Sequence, residues 1–130
     1  MKVLSITEPY ATLIKENKKN IETRSWKTKY RGELYIHASS TKIPKKYKEQ
    51  EAMSLIDINS LNFGNIICKC ELVDCVYMTK DFISDIKNNN YQEYICGEYA
   101  EGRYAWILKN VEVLNEPIKA KGHLGIWNFE

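Results

Sequence analysis

Apolar positions near the start of the chain change from strand spacing to helical spacing within a dozen residues. The apolar side chains of residues 3–6 indicate a short opening strand. Tyr10, Leu13 and Ile14 then recur at the three- and four-residue spacing of one helical face. Asn17 follows, and asparagine tolerates the left-handed backbone of a helix end better than most residues. The pattern predicts a strand and then a short helix that ends at Asn17.

The next two segments show the two-residue alternation of strands. An extended backbone over residues 21–26 places Glu22, Arg24 and Trp26 on one face. In residues 34–38 apolar and polar side chains alternate, which is typical of a half-buried strand. The sequence therefore predicts two successive strands, the first of which presents charged and aromatic side chains together.

The rest of the chain predicts further helices and longer strands. Pro44 suits the first turn of a helix that continues to about Leu55, and Thr79 suits the N-cap of another. A strand from Ile66 changes its apolar phase at Val73, which indicates a bulge or bend of the kind that curls a sheet. Two more strands are predicted, at residues 103–113 and 122–129. About five or six strands and three short helices predict an α+β fold with mostly antiparallel pairing.

The size and composition of the chain fit one small domain. It has 130 residues, of which 44% are hydrophobic and 28% are charged. A domain of this length buries enough apolar surface to fold without cross-links, so we assign residues 1–130 to a single domain. No apolar run approaches the length of a signal-peptide core or a membrane span. We therefore expect a cytoplasmic protein that makes no membrane contact.

The cysteine pattern bears on metal binding. Four cysteines are present, and in the cytoplasm they are expected to be reduced. Cys68 and Cys70 lack a second pair at the spacing of a zinc site. Their positions in a predicted strand favour a role as small apolar side chains. The sequence accordingly predicts neither a metal site nor a cofactor.

Positive charge is concentrated in one short segment. The whole chain has a net charge of only +2. Residues 15–31, however, contain seven lysines and arginines against two glutamates, which gives a local net charge of +5. Such a segment can attract a polyanion, or it can be an ordinary solvated face.

The same segment holds the densest group of chemically useful side chains. Lys19 comes from the helix end, and Glu22, Arg24 and Trp26 come from one face of the following strand. Arg24 can bind a phosphate or a base edge through two hydrogen bonds, and Trp26 and Tyr30 can stack on a base. Lys19 and Glu22 form either a salt bridge or an acid–base pair. The alternative interpretation is a surface ion pair beside a core tryptophan.

This arrangement resembles a known family. Lys19-x-x-Glu22-x-Arg24 is similar to the signature G-x-K-x-x-E-x-R of the ASCH domain, a branch of the PUA-like barrel superfamily. Asn17 stands where the signature has glycine, and asparagine can adopt the same backbone region. Other blocks resemble the family in the same order along the chain, at residues 4–11, 30–32, 34–39, 97–106 and 117–127. The middle of the chain, about residues 43–92, matches poorly.

The resemblance implies a fold and two alternative functions. The expected fold is a small PUA-like β-barrel, mixed but mostly antiparallel, with short flanking helices. The first function is binding of RNA, a nucleoside or a nucleotide in a basic and aromatic cleft between the barrel and the first helix. The alternative is a hydrolase that uses Lys19 and Glu22 as an acid–base pair.

Relatives suggest two reactions for such a hydrolase. One small bacterial branch deacetylates N4-acetylcytidine with a lysine, a threonine three residues later and a more distant glutamate. These positions correspond to Lys19, Glu22 and Glu98 here, so Glu22 would act as a base toward water or as an orienting group. Another relative is a ribonuclease, for which Lys19, Glu22 and Arg24 would supply acid–base and phosphate-binding groups.

Several further side chains are candidates for ligand contact. Arg31 closes the basic segment. His37 is either structural, exposed or part of the cleft, and Ser39 either binds a phosphate or forms a turn. Arg103 and Tyr104 begin a strand that the resemblance places beside the cleft. The predicted ligand-binding group therefore consists of Arg24, Trp26, Tyr30, Arg31, His37, Ser39, Arg103 and Tyr104.

Overall fold

The computed structural model describes residues 1–130 and shows six strands in one mixed sheet. The strands are β1 (Lys2–Ile6), β2 (Ile21–Arg24), β3 (Gly32–Ala38), β4 (Asn65–Tyr77), β5 (Tyr104–Lys119) and β6 (Ile126–Asn128). Their order across the sheet is β2-β5-β4-β3-β1-β6. β1 pairs with β3 in parallel, and every other pair is antiparallel. The α+β class and the mostly antiparallel pairing are thus confirmed.

Irregularities in the pairing of β4 with β5 curl the sheet into a half-barrel. The register shifts between Ile66 and Cys68, again between Lys69 and Glu71, and again between Leu72 and Asp74. The last shift brackets Val73, where the change of apolar phase predicted a bulge. Bulges bend a strand and increase its twist, so three of them along one pair wrap the sheet around its core. The core centres on fully buried apolar side chains, among them Leu4, Leu34, Ile36 and Trp106.

Short helices cover the ends of the half-barrel. They are α1 (Tyr10–Lys15), α2 (Lys45–Lys48), α3 (Lys80–Asn89) and α4 (Tyr91–Ile95), together with 3₁₀ turns at Glu51–Leu55 and Ile58–Ser60. None of them combines the length and the apolar character that crossing a membrane requires. The Thr79 side chain accepts a hydrogen bond from the Phe82 N–H at the start of α3, as predicted for an N-cap.

Several sequence expectations about the bounds and number of the elements differ from the structure. The helix predicted from Pro44 to Leu55 is interrupted, because Gln50 has an extended backbone and only Ala52 of the second half is buried. The predicted number of helices was too small, because α4 follows α3 directly and was not anticipated. β5 is longer than predicted, and β6 is shorter. β2 ends at Arg24, and the chain bends at residues 25–26, which were predicted to continue the strand.

The first helix is held at both ends by local polar contacts. Glu8 is fully buried, and its carboxylate accepts hydrogen bonds from the Thr12 N–H at 2.8 Å and the Asn62 N–H at 2.8 Å. At the other end Asn17 has a φ of 60°, as predicted for the helix end. Lys18 and Lys19 then donate their backbone N–H groups to the Leu13 carbonyl. This tight reversal delivers Lys19 to the start of β2.

Candidate functional site

A cavity of about 460 Å³ lies where the curled sheet remains open, between the end of β1 and the edge strand β2. It is lined by 17 residues, of which only 5 are hydrophobic. Its volume falls within the range of small-molecule sites, about 300–1,000 Å³. It brings together six of the side chains singled out from the sequence, namely Lys19, Glu22, Arg24, Trp26, Glu98 and Arg103.

Lys19 is a buried cation in the wall of this cavity. Its side chain is only 1% exposed. Nζ donates to the Ile21 carbonyl at 2.6 Å and to the Cys96 carbonyl at 2.5 Å, and lies 3.4 Å from Glu22 Oε1. It also lies 5.4 Å from the centroid of the Tyr10 ring. Three acceptors match the three donors of an ammonium group, so the contacts of Lys19 are satisfied within the protein.

Glu22 links Lys19 to Arg24. Its second oxygen, Oε2, accepts from Arg24 Nε at 3.0 Å and lies 2.9 Å from Arg24 Nη2. Nη2 also donates to the Ser5 carbonyl at 3.0 Å, which ties β2 to β1 across the opening. Arg24 Nη1 makes no hydrogen bond within the chain, and the side chain is 23% exposed. The Arg24 guanidinium is therefore held on one edge and open to the cavity on the other.

A glutamate that the sequence analysis missed fixes the turn before β2. Glu93 in α4 is buried, and its carboxylate accepts from the Asn20 N–H at 2.8 Å and the Ile21 N–H at 3.1 Å. Burial raises the pKa of Glu93, although Lys19 and the two N–H groups act in the opposite direction. Asn90 caps α4 by accepting from the Glu93 N–H. The pattern Asn90-x-x-Glu93 before apolar residues was the available sign of a helix start.

Trp26 supplies an aromatic face to the cavity. It is 39% exposed, and its ring stands at 88° to the buried Trp106 ring with centroids 4.7 Å apart. Trp106 Nε1 donates to the Trp26 carbonyl at 3.3 Å. The buried Trp106 ring thus fixes the position of Trp26, and the exposed part of the Trp26 ring borders the cavity.

α2 and its neighbours form a wall that the sequence analysis did not assign to the site. Lys46, Tyr47 and Gln50 line the cavity there. The Tyr47 ring stands edge-on to the Tyr10 ring, with centroids 5.3 Å apart, and the Tyr10 hydroxyl donates to Gln50 Oε1. Burial, followed by the neighbouring Tyr47, raises the pKa of Tyr10. The sequence predicted a helix from Pro44 to about Leu55, but no motif connected this segment to Lys19.

Arg103 and Gly97 shape the side of the cavity next to β2. Arg103 donates to the Glu98 carbonyl at 3.0 Å and to the Thr23 carbonyl at 3.3 Å, and its Nη1 lies 2.9 Å from Glu98 Oε2. A Cβ atom on Gly97 would lie 2.8 Å from Thr23 Cγ2, so the close approach of the two segments requires glycine. The Glu98 side chain is paired with Arg103 and 70% exposed.

Five of the predicted side chains lie outside the cavity, and four of these have partners elsewhere. Two of the four, Tyr30 and Tyr104, are half-buried and pack against the main core. Tyr30 donates its hydroxyl to the Glu33 carbonyl at 2.5 Å. Arg31 Nη2 lies 3.8 Å from Oδ1 of the exposed Asp74, and the two side chains form a weak surface ion pair. The Ser39 hydroxyl makes a hydrogen bond within its own turn, and Tyr104 stands edge-on to an exposed tyrosine.

His37 has a structural environment. It is 1% exposed, and its Nε2 donates to the Ala120 carbonyl at 2.8 Å. Its Nδ1 lies 2.9 Å from Ser5 Oγ, which also accepts from Trp127 Nε1 at 3.0 Å. These contacts join β1, β3 and the C-terminal segment, so His37 serves the packing of the sheet and does not face the cavity.

Comparisons with known proteins agree with this fold and motif. The ASCH domain family model matches residues 4–118. The chain is 28% identical over 131 residues to activating signal cointegrator 1 from Homo sapiens and to that from Mus musculus. These matches cover 98% of this chain but only 22% of each relative, so the chain spans about a fifth of their length.

A solved structure supplies an independent comparison of the fold. A crystal structure of a mutant ZmASCH protein from Zymomonas mobilis superimposes with a TM-score of 0.55. The match covers 91% of this chain and 74% of that chain at 16% sequence identity, which shows a shared fold. Because the family model spans most of the residues and the half-barrel agrees with it, this chain belongs to the ASCH domain family.

Proposed function

We propose that the cavity binds RNA or a nucleotide, with Arg24 on a phosphate and Trp26 against a base. One observation carries the proposal: Glu22 and the Ser5 carbonyl hold Arg24 so that its free edge and the exposed Trp26 face border the same cavity. Nη1 of Arg24 is left to donate a charge-assisted hydrogen bond to a phosphate, and an indole stacks on any base. ASCH domains are associated with RNA binding, and this family membership supports the same ligand class.

The charges around the cavity favour an anion. Its lining contains two lysines and two arginines against two glutamates, a local net charge of +2. Lys19 and Glu22 are largely engaged with each other and with the backbone. Lys46 makes no ion pair, and it lies on the α2 wall across from β2. Arg24 and Lys46 are therefore the cations that can meet a phosphate.

Polar side chains between these cations could recognise the base itself. Thr23 and Ser25 from the β2 side and Gln50 from the α2 side line the cavity. Hydroxyl and amide groups both donate and accept hydrogen bonds, as the edges of bases require. Tyr47 offers a second aromatic surface in the lining, in addition to Trp26. A base stacked on an aromatic ring of the lining would be within the same cavity as these hydrogen-bonding groups, a combination that is typical of single-stranded RNA recognition.

Hydrolysis of N4-acetylcytidine or RNA is the second candidate, because the Lys19–Glu22 pair borders the cavity. A proton transfer would have to break contacts that now fix both groups. Lys19 donates hydrogen bonds to two carbonyls, and Glu22 Oε2 lies within 3.0 Å of two nitrogen atoms of Arg24. These contacts favour a positioning role for the pair, so we rank binding first. Turnover of N4-acetylcytidine or a short RNA that Glu22→Gln abolishes would reverse that ranking.

The binding proposal is tested by titrating the protein with cytidine 5′-monophosphate and with a short single-stranded RNA. We expect Arg24→Gln to weaken binding by about ten-fold or more, because a hydrogen bond to a charged group contributes about 1.5–3 kcal/mol. Trp26→Ala should weaken it by at least about five-fold through lost stacking. Arg31→Gln is the matched control, since Arg31 belongs to the same basic segment but lies outside the cavity.

Two results would contradict the proposal. The first is absence of binding to either probe by a folded parent protein. The second is an equal effect of Arg24→Gln and Arg31→Gln, because binding would then depend on overall charge and not on the cavity. Thermal unfolding of each variant, measured beside the titrations, shows whether it remains folded.

A further inference from the structure

A second cavity lies on the other side of α2 from the first. It measures about 380 Å³ and is lined by Ser40, Lys42, Ile43, Lys48, Ile58, Leu61 and Phe63. Two of its apolar side chains are unusually exposed, with Ile58 at 58% and Phe63 at 42%. Its floor is therefore apolar and partly aromatic, and two lysines stand at its edge.

The two cavities share α2 as a common wall. Tyr47 lines the first cavity, and the next residue, Lys48, lines the second. Consecutive Cα atoms are about 3.8 Å apart, and a helix with its side chains is about 10–12 Å across. A strand that follows the surface of this single turn would pass from the first cavity to the second.

The shared wall is a ridge of unpaired positive charge. Lys42, Lys45, Lys46 and Lys48 are all exposed, and no acidic residue lies among them. None of the four takes part in any of the ion pairs of the structure. The nearest acid in sequence, Glu49, follows the ridge and is itself without an ion pair. A row of cations without counter-charges is suited to the backbone of a polyanion.

We infer that the second cavity takes a further base of a single-stranded nucleic acid whose neighbouring nucleotide occupies the first cavity. The inference rests on the proposed function and narrows its ligand from a free nucleotide to a strand. Phosphates would cross the lysine ridge, and a base would stack against Phe63 over Ile58. A groove that combines cations with exposed aromatic surface is the usual solution for single-stranded binding. Two bases on opposite sides of α2 must be splayed apart, which a duplex does not permit.

The experiment compares a mononucleotide with an oligomer on the intact chain. Cytidine 5′-monophosphate reports the first cavity, and a cytidine hexanucleotide reports both. The parent should bind the hexanucleotide more tightly than the mononucleotide. Lys42→Gln combined with Lys48→Gln, and separately Phe63→Ala, should weaken hexanucleotide binding by roughly five-fold or more. Both variants should leave mononucleotide binding unchanged.

Salt dependence gives a second measurement on the same proteins. Each lost phosphate contact reduces the slope of log affinity against log salt by about 0.7 for a single strand. The double lysine variant should therefore show a slope shallower by about 1.4. The matched control removes two exposed, unpaired lysines elsewhere, by Lys80→Gln combined with Lys109→Gln. That control should leave the slope nearly unchanged.

The outcomes separate this inference from the function on which it rests. If the mononucleotide binds but the hexanucleotide gains nothing, the second cavity does not serve the strand and only the inference fails. The same conclusion follows if Phe63→Ala leaves hexanucleotide binding intact, as it would if an apolar peptide were the occupant. If the folded parent binds neither probe, both the proposed function and the inference fail.

Discussion

Replacing Lys19 by methionine tests the claim that this lysine is a structural cation. Methionine has a similar length and an apolar side chain, so the substitution removes the charge while largely filling the space. The carbonyls of Ile21 and Cys96 would lose their donor, and Glu22 would keep only Arg24. The two carbonyls would then face an apolar group inside the wall of the cavity.

The expected loss of stability follows from these contacts. Hydrogen bonds to charged groups contribute about 1.5–3 kcal/mol each, and breaking a buried ion pair by removing one partner costs about 3–5 kcal/mol. Methionine also removes the desolvation penalty of the ammonium, which offsets part of the loss. We therefore expect Lys19→Met to lower the free energy of unfolding by about 3 kcal/mol. With a urea m-value of about 2 kcal/mol/M, the midpoint should fall by roughly 1.5 M.

The neighbouring lysine provides a matched control. Lys18 also donates to a backbone carbonyl, that of Leu55 at 2.6 Å, and lies 3.0 Å from Glu16. Its side chain is 40% exposed, so Lys18→Met should cost only about 1 kcal/mol or less. Urea unfolding followed by tryptophan fluorescence measures both variants. A Lys19→Met midpoint no lower than that of Lys18→Met would refute the assignment of Lys19 as a buried structural cation.

Two further predictions concern the supports of the cavity. Gly97→Ala should lower the free energy of unfolding by about 1–3 kcal/mol in urea, because the added Cβ meets Thr23 Cγ2 at 2.8 Å; an unchanged midpoint would contradict that close approach. The pKa of Glu93 in the folded protein is raised above its ordinary value of 4.5, so the folded state binds the proton more tightly than the unfolded state does. The contribution of Glu93 to stability is therefore present at low pH and is lost as the pH rises from about 4.5 through the raised pKa. The stability of the parent minus that of Glu93→Gln, measured in urea, should therefore fall as the pH rises above about 4.5, and a rising difference would show the opposite shift.

Local patterns predicted much of the fold because they report burial directly. The apolar phase of β3 is buried, and a register shift brackets Val73, where the apolar phase changes. The polar phase of β3 is more covered than the alternation predicted, because His37 is buried against the C-terminal segment. The helix break at Gln50 was not predictable in this way, because it accompanies a contact with the Tyr10 side chain, 40 residues away in sequence. The helical propensity of neighbouring residues carries no information about a contact between such distant positions.

The residues of the candidate site likewise fall into two groups, those that local sequence spacing predicted and those that it did not. Lys19, Glu22 and Arg24 are close in sequence, and one turn and β2 place them together, so their spacing was sufficient to predict the group. Trp26 also lines the cavity, but from the bend that follows β2 and not from the strand itself. The α2 wall and Glu93 reach the site only through tertiary packing. Beyond β2 the basic segment predicted a ligand contact wrongly placed in the cavity, because a high local density of positive charge does not determine which way each side chain points. Arg31, for example, points to the surface and pairs with Asp74.

The position of the cavity follows from how the sheet fails to close. β2 and β6 are the edges of the sheet, and β6 pairs with β1 only as far as Leu4. Beyond that point the Ser5 carbonyl faces the gap, and the Arg24 side chain crosses it in place of another strand. An edge strand normally has to be protected from pairing with other chains. Here an arginine oriented by Glu22 spans the edge and keeps its Nη1 free of partners within the chain, so the group that closes the half-barrel is also the one that the proposed function assigns to a phosphate.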